Sequence, residues 1–367
     1  MTDADTLPAP PRHYREPLFI GPVRLASRFT LAPLAGYTNY PFRQSIRDVG
    51  GVGLCTTDLV NARAIVEGIR KTMELLATGP DDKPLGVQIF GGQAHELAAA
   101  AKWLEERHLA DVIDINMGCP VPKVVRTGGG SSLMCDTTGR TVELVRKVVE
   151  AVKVPVTVKM RLGWDDSQLT APYFAREFER VGVAALTIHG RTREQGFEGG
   201  VNRDGIRRVV EAVERIPIFA NGDVLTIPDA ASMIADTGCH GIAIGRGALA
   251  DPWFFRQLKS WAETGDPGPR GSYRERIDFM RTHLRRLVAW RGGEKYGCIM
   301  FRKVATWYTR ALRLPKSVQQ QLVMLSDLSQ FEAIMAPFAE LGAPPGWSEW
   351  DVRQSQIAVP AGPNAHW

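Results

Sequence analysis

Short apolar runs bounded by Gly, Pro and polar residues recur through the first two-thirds of the chain, separated by stretches of helical spacing. The runs at positions 18–23, 28–31, 52–56, 85–90, 112–115, 156–160, 185–189, 218–220 and 241–244 predict strands. A short helix is expected after Tyr40, and longer ones over 61–77, 94–107, 141–152, 172–181, 203–215, 228–235 and 252–262. From position 28 onward this gives eight strand-then-helix units in about 235 residues, the arithmetic of an α/β fold closed as a (β/α)8 TIM barrel. A doubly wound open sheet would carry a glycine-rich dinucleotide fingerprint after its first strand. The stretch AGYTNYPFR at 35–43 lacks the G-x-G-x-x-G spacing.

The pattern changes after position 262. Residues 263–272, ETGDPGPRGS, read as a linker, and 273–341 are helix-prone with no strand alternation. The expected organisation is a disordered start over 1–17, a catalytic barrel over 18–262, a smaller C-terminal helical bundle over 273–341 and a tail over 342–367. A chain of 367 residues, 44% hydrophobic and 23% charged, is long enough for both parts. No apolar run approaches the roughly 20 residues that span a bilayer, and the N-terminal stretch lacks a signal core, so a cytoplasmic location is expected. The five cysteines (Cys55, Cys119, Cys135, Cys239, Cys298) are odd in number and never closer than sixteen positions. Neither a disulfide framework nor a CxxC metal site is indicated, and no metal is expected.

Net charge is +5, but residues 271–316 hold twelve Lys/Arg against three Asp/Glu, a local +9 that leaves −4 for the rest. Such concentration suits a polyanionic partner, with a solvated helical surface as the competing reading. Within it, Arg302 and Lys303 precede Trp307 and Tyr308 at helical spacing, a pattern usable for phosphate contact.

Each strand ends in a polar or small residue: Pro33, Asp58 just past the second, Gln88, Asn116 with Cys119, Lys159 with Arg161, His189, Asn221-Gly222-Asp223 and Gly245-Arg246-Gly247. In a parallel barrel all of these converge on one mouth. The glycines of the last two loops either make tight turns or let backbone N–H groups approach an anion, with Arg246 adding a fixed charge. Lys159 is then placed to stabilise negative charge on a flavin ring, and Gln88 to read its amide-like edge by donating and accepting together. FMN satisfies both requirements.

The stretch DVIDINMGCPVPK at 111–123 carries the most specific signal, a buried strand that turns polar just before Cys119. Together with APLAGYTNYPFR, VQIFG, VKMRLGW, LTIHGRTR, ANGD and IGRG, from about position 19 to 307, it resembles the tRNA-dihydrouridine synthases. RLGW and IHGRT are most similar to the bacterial B-type branch. The resemblance implies an FMN-dependent reduction of a tRNA uridine driven by NADPH or NADH. It implies FMN contacts from Pro33, Leu34, Ala35, Gln88, Lys159, His189, Asn221, Gly222, Asp223, Gly245 and Arg246. Cys119 becomes the proton donor, Asn116 and Arg161 face the target base, and the C-terminal bundle binds tRNA.

Two departures from the family pattern stand out: Leu34 in place of methionine, a volume-conserving swap, and Gly128-Gly129-Gly130, which is expected to free the loop after Lys123. The chemistry agrees with the cysteine assignment, because reducing the uracil 5,6 bond needs hydride at carbon 6 and a proton at carbon 5. A thiol with an ordinary pKa near 8.5 is a competent acid at neutral pH. Cys135 is the nearest rival. An FMN oxidoreductase acting on a free pyrimidine has no need of the basic helices, and a non-catalytic RNA-binding barrel has no need of Cys119, Lys159 and Arg161 together.

Overall fold

The strands Phe29–Leu31 (β1), Leu54–Thr56 (β2), Leu85–Phe90 (β3), Val112–Met117 (β4), Val156–Arg161 (β5), Ala185–His189 (β6), Ile218–Asn221 (β7) and Gly241–Ile244 (β8) pair in sequence order, all parallel. β8 returns to β1 with Ala243 opposite Thr30, so the sheet closes into the expected (β/α)8 barrel. These are features of a computed structural model that describes residues 7–348. No helix among the described residues is long and apolar enough to cross a membrane.

Strand periodicity sorts the side chains into two sets. Val87, Ile89, Ile113, Ile115, Val158, Met160, Leu186 and Ile188 belong to the large apolar core shared with the surrounding helices. The intervening residues share the barrel interior: Thr30, Thr56, Asp114, Thr157, Lys159 and Thr187 line one cavity. The wall facing the helices is therefore oily and the interior is polar toward the C-terminal end.

Several local expectations change. The strand predicted at 18–23 is an antiparallel hairpin, Leu18–Ile20 against Val23–Leu25, turning at Gly21 with φ +55°. Its Ile20 and Leu25 join Leu54, Val112, Ala185, Phe219 and Ala243 in a second apolar cluster that plugs the N-terminal end of the barrel. The helix predicted at 61–77 is two pieces, Ala62–Val66 and Arg70–Leu75, broken where Gly68 takes φ +67°. The helix predicted at 203–215 ends at Val210.

The N-terminal segment expected to be disordered is ordered where it is described. Arg12–Arg15 form a 3-10 turn, Tyr14 is buried and donates its hydroxyl to the Cys239 carbonyl at 2.7 Å, and Trp261 Nε1 donates to the Pro8 carbonyl at 2.9 Å. Two aromatic side chains thus anchor a stretch whose Pro-rich, polar composition hid them; residues 1–6 lie outside the described part.

The linker is also pinned. A Cβ on Gly271 would lie 2.3 Å from the Trp253 ring, and Arg276 donates to the Gly271 carbonyl while pairing with buried Asp251. Beyond it run the helices Tyr273–Arg291, Glu294–Ala311, Lys316–Leu322 and Leu328–Leu341. Their apolar faces continue the core of the barrel helices, and the His283 ring lies 5.5 Å from that of Phe42. Of the expected tail, residues 342–348 are described, with Trp347 edge-on to Tyr273, and 349–367 are not.

The helix Tyr40–Val49, onto which this C-terminal segment packs, is locked by one ion cluster. Arg43 donates to Asp82 through Nε (2.9 Å) and Nη2 (2.6 Å), and Arg47 reaches the other carboxylate oxygen at 3.0 Å. Arg43 and Asp82 are both fully buried, so removing the acid strands a charge in the interior. Asp82→Ala should lose about 3–5 kcal/mol in urea-monitored unfolding, whereas Glu67→Ala, which breaks a solvent-exposed pair with Arg63, should leave the unfolding midpoint nearly unchanged.

Candidate active site

Every strand-end residue singled out in the sequence lies at the C-terminal end of the barrel, because parallel closure leaves those ends no other direction. After β1, the turn holding Pro33, Leu34 and Ala35 is tied down by Asp58, which accepts from Gly36 N (3.0 Å), Thr38 N (3.1 Å) and Thr38 Oγ1 (2.7 Å). Asp58 is thus a buried loop fastener rather than a ligand residue. Gly245 meets this turn from β8: a Cβ there would lie 3.6 Å from Leu34 Cδ2.

Cations dominate the mouth. Lys159 donates to Asn221 Oδ1 at 3.0 Å, and Asn221 in turn donates to the Ala243 carbonyl. Burial and neighbouring Arg161 push the Lys159 pKa down to about 8, opposed by Asp114 and Cys119. Arg161 donates to the carbonyls of Gly118, Thr192 and Gly196 at 2.7–2.9 Å, spanning the loops after β4 and β6. Burial, then Arg161, Lys159, Arg191 and Arg246, hold the His189 pKa well below its usual range, so this imidazole is neutral at neutral pH.

Two participants escaped the sequence reading. Arg191 is buried, donates to Asp223 Oδ2 and the Gly199 carbonyl at 2.6 Å, and lies 3.3 Å from His189 Nε2. It thereby clamps the β7 loop, where Asp223 takes φ +52° and Gly222 φ +116°. Phe197 is 42% exposed, with the guanidinium carbons of Arg246 and Arg161 at 5.0 and 5.4 Å from its ring. Its signal was faint, a lone aromatic in a Gly-rich loop.

Cys119 stands on the rim, partly exposed. Asn116 Oδ1 accepts from the backbone N–H of Gly118 (3.2 Å) and Cys119 (2.9 Å) and so sets the turn. Burial raises the thiol pKa against the opposing Val121 backbone, Arg161 and Lys159, which keeps the proton on sulfur at neutral pH. The glycine run after Lys123 does not free this loop. A Cβ on Gly130, at φ +60°, would lie 2.7 Å from the Cys119 carbonyl oxygen, and one on Gly129 2.9 Å from that of Gly91. Glycine is needed there for close approach, and the loop is wedged in place. Cys135 is exposed, at the end of the 3-10 segment Gly130–Cys135.

The Gln88 side chain sits differently from the expectation that it reads a flavin edge by donating and accepting together. It is fully buried, donates to Asp114 and accepts from Asn116, which leaves one N–H uncommitted by these bonds. Arg302 also departs: its guanidinium caps the Leu325 carbonyl at 2.6 Å and that of Met324 at 3.3 Å, a structural use. Lys303, the next residue, is exposed and extends over the β1 turn, with Nζ 3.8 Å from where a Gly36 Cβ would stand.

A solved structure of similar fold is a 6-hydroxypseudooxynicotine amine oxidase from Pseudomonas geniculata, at TM-score 0.53 and 16% identity over 75% of this chain. A histamine dehydrogenase from Rhizobium gives TM-score 0.51 and 15% identity over 74%. The chain spans about half the length of each, 53% and 51%, and at these identities the likeness concerns the fold. Sequence relatives reach further. A "Probable tRNA-dihydrouridine synthase" from Mycobacterium tuberculosis is 36% identical over 87% of this chain and 84% of its own. The "tRNA-dihydrouridine synthase B" of Pseudomonas aeruginosa is 37% identical over 88% and 96% respectively, in keeping with the B-type resemblance. The family model described as "Dihydrouridine synthase (Dus)" matches residues 30–339, nearly the whole described chain, and the protein belongs to that family.

Proposed function

We propose that this enzyme carries out its family's reaction with Cys119 as the acid, reducing the 5,6 double bond of a uridine in tRNA with FMN as cofactor and NADPH or NADH as reductant. The observation that carries the reading is a partly exposed thiol, Cys119, on the rim of a barrel mouth, in a turn held by Asn116 and by Arg161 through the Gly118 carbonyl.

The residues present fit a flavin mononucleotide. The Gly222–Asp223 and Gly245–Arg246 turns offer backbone N–H groups and a guanidinium for its phosphate, Pro33, Leu34 and Ala35 lie beside them, and Lys159 and neutral His189 face the interior end. When bound and reduced, the flavin supplies the hydride for uracil carbon 6. Carbon 5 then takes the proton held on Cys119 Sγ, and the C–H bond forms as S–H breaks. The resulting thiolate is stabilised by Arg161 and Lys159, the two cations that already bias its titration, and regains its proton from solvent. Asn116 and Arg161 hold the rim against which the base is presented, while the Phe197 ring offers it a stacking face. A base inside a folded RNA has to be turned out to reach this depth.

The C-terminal helices serve as the tRNA-binding part, though with fewer available charges than their sequence suggests. Arg276, Arg281, Arg285, Arg286 and Arg291 form ion pairs within the protein, whereas Lys295, Lys303 and Lys316 are exposed. Lys303 is the choice for a phosphate contact next to the target base.

Cys119→Ala should retain FMN and oxidise NADPH normally, yet form dihydrouridine at least about 100-fold more slowly, the lower bound for a positioned general acid. Single-turnover reaction of reduced enzyme with unmodified tRNA measures this. Wild-type rates, or a selective loss in Cys135→Ala instead, would remove Cys119 from the role.

Lys303→Ala should reduce the slope of log affinity against log salt by roughly 0.7–0.9, one phosphate contact, with the fold intact. Arg302→Ala should leave that slope unchanged and instead lower thermal stability, because the carbonyls of Met324 and Leu325 lose their donor. Filter binding across a salt series, beside thermal melts, separates the two.

A further inference from the structure

Inside the barrel wall, four buried side chains on three adjacent strands form a directed chain of hydrogen bonds. Asp114 on β4 accepts from Thr157 Oγ1 on β5 at 2.7 Å and from Gln88 Nε2 on β3 at 2.7 Å. Gln88 Oε1 accepts from Asn116 Nδ2 at 2.7 Å, and Asn116 Oδ1 accepts from Cys119 N at 2.9 Å. Gln88 is 0% exposed, and Asp114 and Asn116 are each 7% exposed, so the orientation of each amide is set by its protein partners.

We propose that Asp114 is a positioning residue: as an acceptor-only carboxylate at the inner end, it fixes the direction of every hydrogen bond out to the backbone of Cys119. The logic follows from donor and acceptor inventories. A carboxylate has no proton to give, so Gln88 must turn its NH2 inward and its carbonyl toward Asn116. Asn116 must then answer with its NH2, which leaves its carbonyl free to receive the Cys119 N–H. Burial raises the Asp114 pKa, opposed by the hydrogen bonds from Thr157 and Gln88 and by the nearby Lys159 ammonium; the two donors aimed at its oxygens are what mark it as the acceptor. The sheet register makes the arrangement possible, because Gln88 pairs with Asp114 and Asp114 with Thr157 across neighbouring strands.

Substitution by asparagine keeps the shape and reverses the sense. In Asp114→Asn the Thr157 hydroxyl can turn to accept as well as donate; where it still donates to the side-chain oxygen, the new NH2 faces Gln88. Gln88 then inverts, Asn116 follows, and an NH2 is left opposing the Cys119 N–H. Adding Gln88→Glu restores an acceptor-only group one step further along: Glu accepts from both neighbours, and Asn116 returns to its original sense at unchanged net charge.

The proposal rests on the proposed function only in calling Cys119 the proton donor; the geometry of the turn is tested without tRNA. The full-length protein is treated with iodoacetamide, and the alkylation rate at Cys119 is read by peptide mass spectrometry. Asp114→Asn should react at least about fivefold faster, the factor that one net hydrogen bond of about 1 kcal/mol represents. Thr157→Val, which removes a donor but keeps the carboxylate, should stay within about twofold of wild type, and so should the double variant Gln88→Glu/Asp114→Asn. A wild-type rate in both Asp114→Asn and Asp114→Leu, in which no hydroxyl rotation can stand in for the lost acceptor, overturns the proposal. So does equal acceleration in Thr157→Val, or failure of the double variant to recover, since either outcome makes the effect one of packing. If Asp114→Asn alone does not fold by circular dichroism, the double variant decides: a wild-type rate supports the direction-setting role and a fast rate overturns it.

Discussion

A closed parallel barrel sends every second side chain of eight strands into one enclosed space, and polar groups placed there have to satisfy one another. The site depends on this constraint. Thr157, Asp114, Gln88 and Asn116 form one hydrogen-bonded series, while Lys159, Asn221 and the Ala243 carbonyl form another. Because the first series ends at the turn after β4 and the second runs through Asn221, the last residue of β7, satisfying the interior also shapes the rim. The apolar outer set can tolerate volume-conserving exchange, whereas the inner set is fixed atom by atom.

What the sequence made legible was governed by period and direction. Eight apolar runs with polar ends needed only the rule that parallel strands share a C-terminal face, which brought Gln88, Asn116, Lys159, His189 and Asn221 together without knowledge of any distance. The hairpin at Leu18–Ile20 was less legible, since a six-residue apolar run with an internal Gly-Pro reads equally as one strand or two. Arg191 was missed because its role is relational: it is defined by Asp223, thirty-two positions away. The position of Gln88 followed from its strand, whereas its bonds to Asp114 and Asn116 did not, since a sequence cannot say which of an amide's partners lie inside the wall.

Charge was the least transferable quantity. The local excess between 271 and 316 is real as a count, yet much of it is answered by acids far along the chain, such as Asp48, Glu74 and Glu332. These pairs bind the helices to the barrel and to each other. Arg302 shows the same effect without an acid, its guanidinium being taken up by two main-chain carbonyls. A basic segment is therefore an upper limit on the charge available to an outside partner.

The three glycines after Lys123 bear on who moves during the reaction. With Gly129 lying against Gly91 and Gly130 against the main chain of Cys119, the backbone is packed so closely that even a methyl group would force it apart. The sulfur is carried on a rigid arm whose reach is set before any substrate arrives. On the proposed reading of Cys119 as the acid, compliance has to come from the other side of the encounter: the nucleotide adjusts its depth and tilt, and the work of distortion falls on the RNA.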